Sequence, residues 1–144
     1  MERGHSLERE ALDVFSEMTG KKVKEKDEVW VSDKNEYIAL SPDGEISATE
    51  ATEVKCLSSA RHLQAYFEKK VPSDYEEQSV QYFIVNEKLK KLYFIFYDPR
   101  IAAKPLHYLV IERKDVEEKI KLYEAQQIDD LKAMDEMIMQ LTKF

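Results

Sequence analysis

Residues 41–56 read SPDGEISATEATEVKC, a tight turn followed by a strand that carries an acid and an amine. Pro42 and Gly44 favour a turn, because Pro fixes φ and Gly adopts conformations closed to other residues. The short segments 28–31 and 37–40 precede this turn, and residues 46–56 can return beside them as a partner strand. The stretch therefore predicts a β-hairpin region that is entered through residues 41–44.

Apolar spacing on either side of this region predicts a mixed α/β fold. Leu7, Ala11 and Phe15 lie on one face of a helix over residues 6–19, which we expect Ser6 to cap and Gly20 to stop. Residues 91–97 are apolar on both faces, which is typical of a central strand. The other predicted elements are helices over 58–69, from Ser73 or Asp74 to about Asn86, and over 115–142, and a strand over 106–112.

Length and composition indicate one soluble domain over residues 1–144. The chain is 43% hydrophobic and 35% charged, with three Gly and four Pro, which is too apolar for disorder. No run of about 18 apolar residues is present, so we expect no membrane span. A single cysteine and the lack of a secretory leader pattern favour a cytoplasmic location.

Charge is distributed unevenly along the chain. Residues 54–114 carry 11 Lys and Arg against 7 Asp and Glu, whereas residues 1–53 carry 7 against 14. An acidic segment beside a basic one suits an enzyme that holds cations and contacts a phosphodiester backbone. An ordinary mixed surface explains the same counts.

The residues that carry chemistry are Asp43, Glu53 and Lys55. Side chains alternate along a strand, so Glu53 and Lys55 share one face and Val54 points the other way. Asp43 can approach Glu53 from the turn, and two carboxylates that share a site need a proton or a cation between them. Magnesium or manganese fits such oxygen ligands, and the carbonyl of Val54 is a further candidate ligand. An exposed salt bridge on an edge strand is the alternative explanation for Glu-x-Lys.

Two other groups of residues are expected to pack. Cys56 follows the strand alternation into the core, where a small buried hydrophobe is more usual than a nucleophile. Met134, Met137 and Met139 lie on the last predicted helix, where we expect core or subunit contacts.

These motifs resemble the PD-(D/E)XK nucleases, and within them the bacteriophage lambda exonuclease type, also called YqaJ-like viral recombinases. The resemblance covers almost the whole chain. It is carried by Arg3-Gly4 with Leu7-Glu8 and Ala11, Thr19-Gly20, Ser41-Pro42-Asp43-Gly44, Glu53-Val54-Lys55-Cys56, Val80-Gln81-Tyr82, Tyr97-Asp98-Pro99-Arg100, Leu106-His107-Tyr108 and Val110-Ile111-Glu112-Arg113.

The resemblance implies a restriction-endonuclease-like core, a central mixed sheet flanked by helices with a long C-terminal helix. It also implies two Mg²⁺ or Mn²⁺ ions. Asp43 and Glu53 would be the central metal ligands, Lys55 the motif lysine, and Glu8 the helical acid that helps to hold the second ion.

Substrate contacts are implied in the same way. Ser41 would help to receive a terminal 5′ phosphate. The family places a glutamine on the helix after the motif, and two positions match: spacing from Tyr75 indicates Gln78, whereas the Val-Gln-Tyr match indicates Gln81.

The implied activity is that of a phage 5′–3′ double-stranded DNA exonuclease used in recombination. The implied partners are DNA, further copies in a homotrimeric ring, and a phage single-strand annealing protein. Family members also carry a region before the Arg-Gly helix, so we expect this chain to be the catalytic core. A non-catalytic protein derived from such a nuclease, which binds DNA or a protein, is the alternative.

Overall fold

The computed structural model describes residues 2–25 and 28–143, and its centre is a four-stranded mixed sheet. The strands are β3 (Gly44–Ser47), β4 (Glu50–Lys55), β5 (Lys91–Tyr97) and β6 (Leu106–Glu112), in that order across the sheet. Strand β4 pairs with β5 in parallel, and the two outer pairings are antiparallel. The expected mixed α/β class is confirmed, and β5 and β6 have the predicted bounds.

The hairpin turn lies elsewhere than the sequence predicts. Strands β3 and β4 are joined at Ala48 and Thr49, whereas residues 41–44 lead into β3. Gly44 is the first residue of β3, where an added Cβ would come within 2.4 Å of Val23 Cγ1 and 2.7 Å of Thr52 Oγ1. The glycine is therefore required by close packing. The predicted strands 28–31 and 37–40 shorten to β1 (Trp30–Val31) and β2 (Ala39–Leu40), which pair only with each other.

Helix α1 (Glu2–Thr19) covers one face of the sheet. It begins before Ser6, so the predicted cap at Ser6 is wrong, and it ends as predicted before Gly20, whose φ is +74°. Phe15 and its neighbours Ala11 and Leu12 are buried against the same cluster as Val54 of β4. This packing places the first helix over the face that Val54 occupies.

Helices α2 (Ser59–Glu68), α3 (Ser73–Val85) and α4 (Glu117–Leu141) complete the fold. The hydroxyl of Ser58 accepts the backbone N–H of Arg61 and caps α2. The cap position of α3 is Pro72, so neither Ser73 nor Asp74 caps that helix. Tyr82 and Phe83 of α3 pack on the second face of the sheet, and α4 contacts α3. Among the described residues, none of the helices contains an apolar stretch of the length that a lipid bilayer requires.

Two predictions of core burial are wrong. Cys56 is exposed because β4 ends at Lys55, so the alternation of the strand does not reach the next residue. Met134, Met137 and Met139 are also exposed, because only the first part of α4 has residues packed against the core. Their predicted role in subunit contacts stays a prediction.

Candidate active site

Asp43 and Glu53 form a pair of carboxyl groups, of which Glu53 is buried and Asp43 is half-buried. Glu53 is 4% exposed, and its carboxyl group lies within hydrogen-bonding reach of Asp43. The Oδ2 atom of Asp43 also accepts the backbone N–H of Val54 at 2.8 Å. The turn of residues 41–44 and strand β4 are thus joined at the two acids, as their residue types and spacing suggest.

Electrostatics keep this pair from holding two full negative charges. Burial, and then the charge of Asp43, raises the pKa of Glu53 to about 7. Burial also raises the pKa of Asp43, although the hydrogen bond from Val54 acts in the opposite direction. Without a cation the two acids therefore share a proton near neutral pH.

Lys55 lies beside this pair on the same face of β4. Its Nζ atom is 3.4 Å from Glu53 Oε1, and its side chain is 20% exposed. The ammonium group also lies 4.5 Å from the ring centroid of Tyr75 on α3.

Val54 is buried on the opposite face of the sheet, so the predicted alternation is confirmed. The same contacts exclude the alternative of an exposed edge-strand salt bridge, because Glu53 is buried and β4 lies inside the sheet.

The structure separates the two candidate glutamines. Gln78 donates its amide N–H to Glu53 Oε1 at 3.1 Å. Gln81 instead accepts a hydrogen bond from Gln127 on α4. Gln81 lies three residues after Gln78, about 60° short of a full turn, and this offset is enough for its side chain to contact α4. Gln78 is therefore the glutamine at the acidic pair.

Tyr82 also contacts this site, and sequence reasoning missed it. Its hydroxyl is hydrogen-bonded to Glu53 Oε2, lies 3.3 Å from the carbonyl of Thr52 and accepts the backbone N–H of Asp43 at 3.4 Å. The residue follows Gln78 by four positions, which places both on one face of α3. That spacing could have found it once Gln78 was chosen.

Glu8 approaches from α1. Its charge acts on the thiol of Cys56, the residue after Lys55, and the charge of Asp43 acts on the same thiol. The residue as a whole is exposed, but its sulfur is half-buried, and this partial burial, followed by these charges, raises the pKa of Cys56 to about 11. Asp98 and Glu10 act on the same thiol, so these charges place Glu8 within electrostatic range of Cys56, the residue that follows β4. Ser41 is exposed on the turn two residues before Asp43, at the edge of the site.

Asp98 braces the loop that leaves β4. It accepts hydrogen bonds from Arg100 Nε at 2.9 Å and from Ser59 Oγ at 2.7 Å, and Arg100 reaches the carbonyl of Leu57 at 3.5 Å. The hydrogen bonds from Arg100 are the main reason that the pKa of Asp98 is lowered to about 2. The Tyr-Asp-Pro-Arg segment therefore fixes the chain between β4 and α2.

The acidic pair suits a magnesium-type ion. Mg²⁺ prefers oxygen ligands, keeps several waters, and is commonly held by one or two carboxylates together with substrate phosphate. Asp43 and Glu53 supply two such carboxylates, and a cation could replace the shared proton. In the part of the chain that the structure describes, no group of three His, Cys, Asp or Glu side chains is arranged to hold a metal ion. The fit therefore rests on two carboxylates, with Glu8 nearby.

Comparisons with known proteins agree with this architecture. The family model described as the YqaJ-like viral recombinase domain matches residues 1–88, which include all the groups described around Glu53. The structure of an alkaline exonuclease, LHK-Exo from Laribacter hongkongensis, matches with a TM-score of 0.71 and 20% identity over 95% of this chain and 73% of that chain. Its complex with dAMP matches with a TM-score of 0.72 and 22% identity, over 99% and 75% of the two chains. At these identities the match shows a common fold. No curated protein matches the sequence.

Proposed function

Because this chain belongs to the YqaJ-like viral recombinase family, we propose that it is a metal-dependent deoxyribonuclease that hydrolyses phosphodiester bonds in DNA. The shared fold with an alkaline exonuclease supports a nuclease-like function. We further propose that residues 1–144 act as a single nuclease core.

One observation carries this proposal: the buried Glu53, the half-buried Asp43 and the lysine Lys55 meet where the turn before β3 touches the end of β4. Two negative charges on Asp43 and Glu53 are costly at this buried position, and the raised pKa of Glu53 reflects that cost, which a bound cation would remove. Lys55 Nζ, 3.4 Å from Glu53, offsets part of it. Perturbed acids clustered with a cationic group are typical of catalytic sites.

The roles proposed for Asp43, Glu53 and Lys55 rest on their contacts, that of Val54 on its place in the strand, and that of Glu8 on the family resemblance. Asp43 and Glu53 would hold Mg²⁺ or Mn²⁺, with the carbonyl of Val54 as a further ligand and Glu8 toward a second ion. The ion would supply a bound water of lowered pKa and would draw charge from the phosphate. Lys55 Nζ, held between Glu53 and the Tyr75 ring, would stabilise the attacking oxygen or the charge that develops on phosphorus oxygens.

Other residues would position the substrate. The Gln78 amide would keep the Glu53 carboxylate in orientation. Ser41, exposed beside the turn, would receive a terminal 5′ phosphate. The excess of Lys and Arg over residues 54–114 supports contacts with the DNA backbone.

The biological setting belongs to the same proposal. We propose 5′–3′ digestion of double-stranded ends during phage recombination in the bacterial cytoplasm. Assembly as a homotrimer and cooperation with a single-strand annealing protein would complete this role. The alternative is a non-catalytic DNA- or protein-binding protein, which is favoured by the lack of a three-residue metal-ligand cluster among residues 2–25 and 28–143.

Digestion of linear double-stranded DNA tests the proposal. We expect cleavage by the purified protein with Mg²⁺ or Mn²⁺, none with EDTA, and a loss on the order of 100-fold or more for Asp43→Asn or Lys55→Ala. Glu50→Gln is the matched control, since Glu50 lies on the same strand but pairs with Lys21. It should keep its activity.

Substrates labelled at the 5′ or the 3′ end, with and without a 5′ phosphate, determine the polarity. Equal DNA loss in all variants would identify a contaminant. No cleavage by the unmodified protein under any condition, with DNA binding retained, would establish the non-catalytic alternative.

A further inference from the structure

Tyr82 places one buried hydroxyl against both segments that carry the acidic pair. The residue is 1% exposed. Its oxygen is hydrogen-bonded to the Glu53 carboxylate on β4, and it accepts the backbone N–H of Asp43 in the turn before β3. A single atom of α3 therefore connects the strand and the turn.

We propose that Tyr82 is the positioning residue of this site, whose hydroxyl fixes Glu53 and the Asp43 turn in the arrangement that binds a divalent cation. This inference rests on the proposed metal-dependent function. Hydrogen bonds that orient metal-ligating side chains are worth about 10- to 100-fold in metal affinity.

The contacts of Glu53 show how this arrangement would work. Tyr82 bonds to Oε2, and Gln78 donates to Oε1 at 3.1 Å. Each carboxylate oxygen can accept about two hydrogen bonds or ligands. Helix α3 thus holds both oxygens, and because Lys55 also contacts Oε1, the oxygen that keeps acceptor capacity for a cation is Oε2.

The ring of Tyr82 is held as firmly as its hydroxyl. It packs in the core cluster of α3 and the sheet, and Trp30 lies edge-on to it at 5.9 Å between centroids. The Trp30 indole N–H in turn donates to Glu45 Oε1 at 2.7 Å. The hydroxyl therefore has little freedom to follow Glu53 if the carboxylate moves.

The test is direct titration of the full chain with Mn²⁺, with free Mn²⁺ measured by electron paramagnetic resonance. We expect Tyr82→Phe to weaken Mn²⁺ binding by about 10-fold or more. Tyr93→Phe is the matched control. Tyr93 is also buried and its hydroxyl also bonds a carboxylate, Glu50 Oε1 at 2.8 Å, but Glu50 is three residues earlier on β4. This control should bind Mn²⁺ like the unmodified protein.

Circular dichroism shows whether each variant is folded, and the fluorescence of Trp30, the single tryptophan, is a second probe for Tyr82→Phe and Tyr93→Phe. If Tyr82→Phe does not fold, Trp30→Phe tests the same arrangement by loosening the ring while keeping the hydroxyl. We then expect Mn²⁺ affinity to fall by about 2- to 3-fold, because the edge-on contact between the Trp30 and Tyr82 rings is weakened.

The outcomes separate this inference from the proposed function. Unchanged Mn²⁺ affinity in a folded Tyr82→Phe, or in Trp30→Phe where that variant replaces it, overturns the role of Tyr82 even if the unmodified protein cleaves DNA. An equal loss in Tyr93→Phe also overturns it, because the effect would then be general. Mn²⁺ binding that depends on Tyr82 without any cleavage supports the inference and contradicts the nuclease. A protein that binds no Mn²⁺ contradicts both.

Discussion

The Nζ atom of Lys55 lies 4.5 Å from the ring centroid of Tyr75, and the guanidinium of Arg61 lies 5.2 Å from the same ring. One aromatic side chain of α3 therefore contacts two cations. A ring attracts a cation to its face by about 0.5–2 kcal/mol. The ammonium group of Lys55 is therefore held by two neighbours, the Glu53 carboxylate and the Tyr75 ring.

Replacement of Tyr75 tests this contact. Tyr75→Leu removes the ring and should lower the DNA cleavage rate by about 3- to 30-fold, the equivalent of one cation–π interaction. Tyr75→Phe keeps the ring and should lie within about 2-fold of the unmodified protein. Rates under single-turnover conditions make the comparison. Equal losses in the two variants would show that the hydroxyl, which Arg61 Nη1 approaches at 3.5 Å, matters and the ring does not.

The raised pKa of Glu53, about 7, predicts an unusual pH dependence of stability in EDTA. The unfolded carboxyl group titrates near 4.5, so between these values the folded protein binds more protons than the unfolded chain. The free energy of unfolding must therefore fall as pH rises from about 4.5 to 7, by up to about 3 kcal/mol from this group.

Urea denaturation at several pH values in EDTA measures this slope. Glu53→Gln removes the titrating group, so its stability should change less over the same range and should exceed that of the unmodified protein above pH 7. Glu50→Gln is the control, since Glu50 has a lowered pKa. Identical slopes for the unmodified protein and Glu53→Gln would contradict a shared proton at this pair.

Much of the site follows from local pattern. Glu53 and Lys55 share a face because β4 is a regular strand up to Lys55, and strand alternation is a local property. Strand β5 was predictable because a central strand buries both faces and reads as a continuous apolar run. The hairpin turn was missed because Gly44 is needed for a close approach to Val23, which no local pattern shows.

The contacts of α3 depend on how that helix is rotated against the sheet. Gln78 and Gln81 are both polar residues on one helix, and only packing determines that Gln78 faces Glu53. Tyr82 reads as a core aromatic, and its ring is one. That its hydroxyl also reaches Glu53 depends on a pairing 29 residues apart in sequence.

Two Arg–Asp pairs differ in burial and predict different effects on stability. Asp98, 2% exposed, also accepts Ser59, so Asp98→Asn should lower the free energy of unfolding by about 2–4 kcal/mol. Asp74 pairs with Arg61 at the surface, and Asp74→Asn should cost at most about 1 kcal/mol. Chemical denaturation at pH 7 gives both values. Equal costs would contradict a bracing role for Asp98.

Gly44 offers the clearest test of the packing that carries Asp43 into the site. A methyl group at this position would lie 2.4 Å from Val23 Cγ1, so Gly44→Ala should cost about 1–3 kcal/mol through overpacking. Adding Val23→Ala removes the nearest atom and should recover part of the loss, although Thr52 Oγ1 at 2.7 Å remains. Gly20→Ala is the contrasting control. Its added Cβ meets no atom within 4 Å, but its φ of +74° is unfavourable for alanine, so Val23→Ala should not rescue it.

The coupling between positions 44 and 23 is obtained from the four free energies of unfolding. A positive rescue confined to the Gly44→Ala background would establish that the close approach of β3 to Val23 requires the glycine. Additive losses would show instead that the backbone shifts to admit the methyl group. That shift should then appear as weaker Mn²⁺ binding, since Asp43 is the adjacent residue.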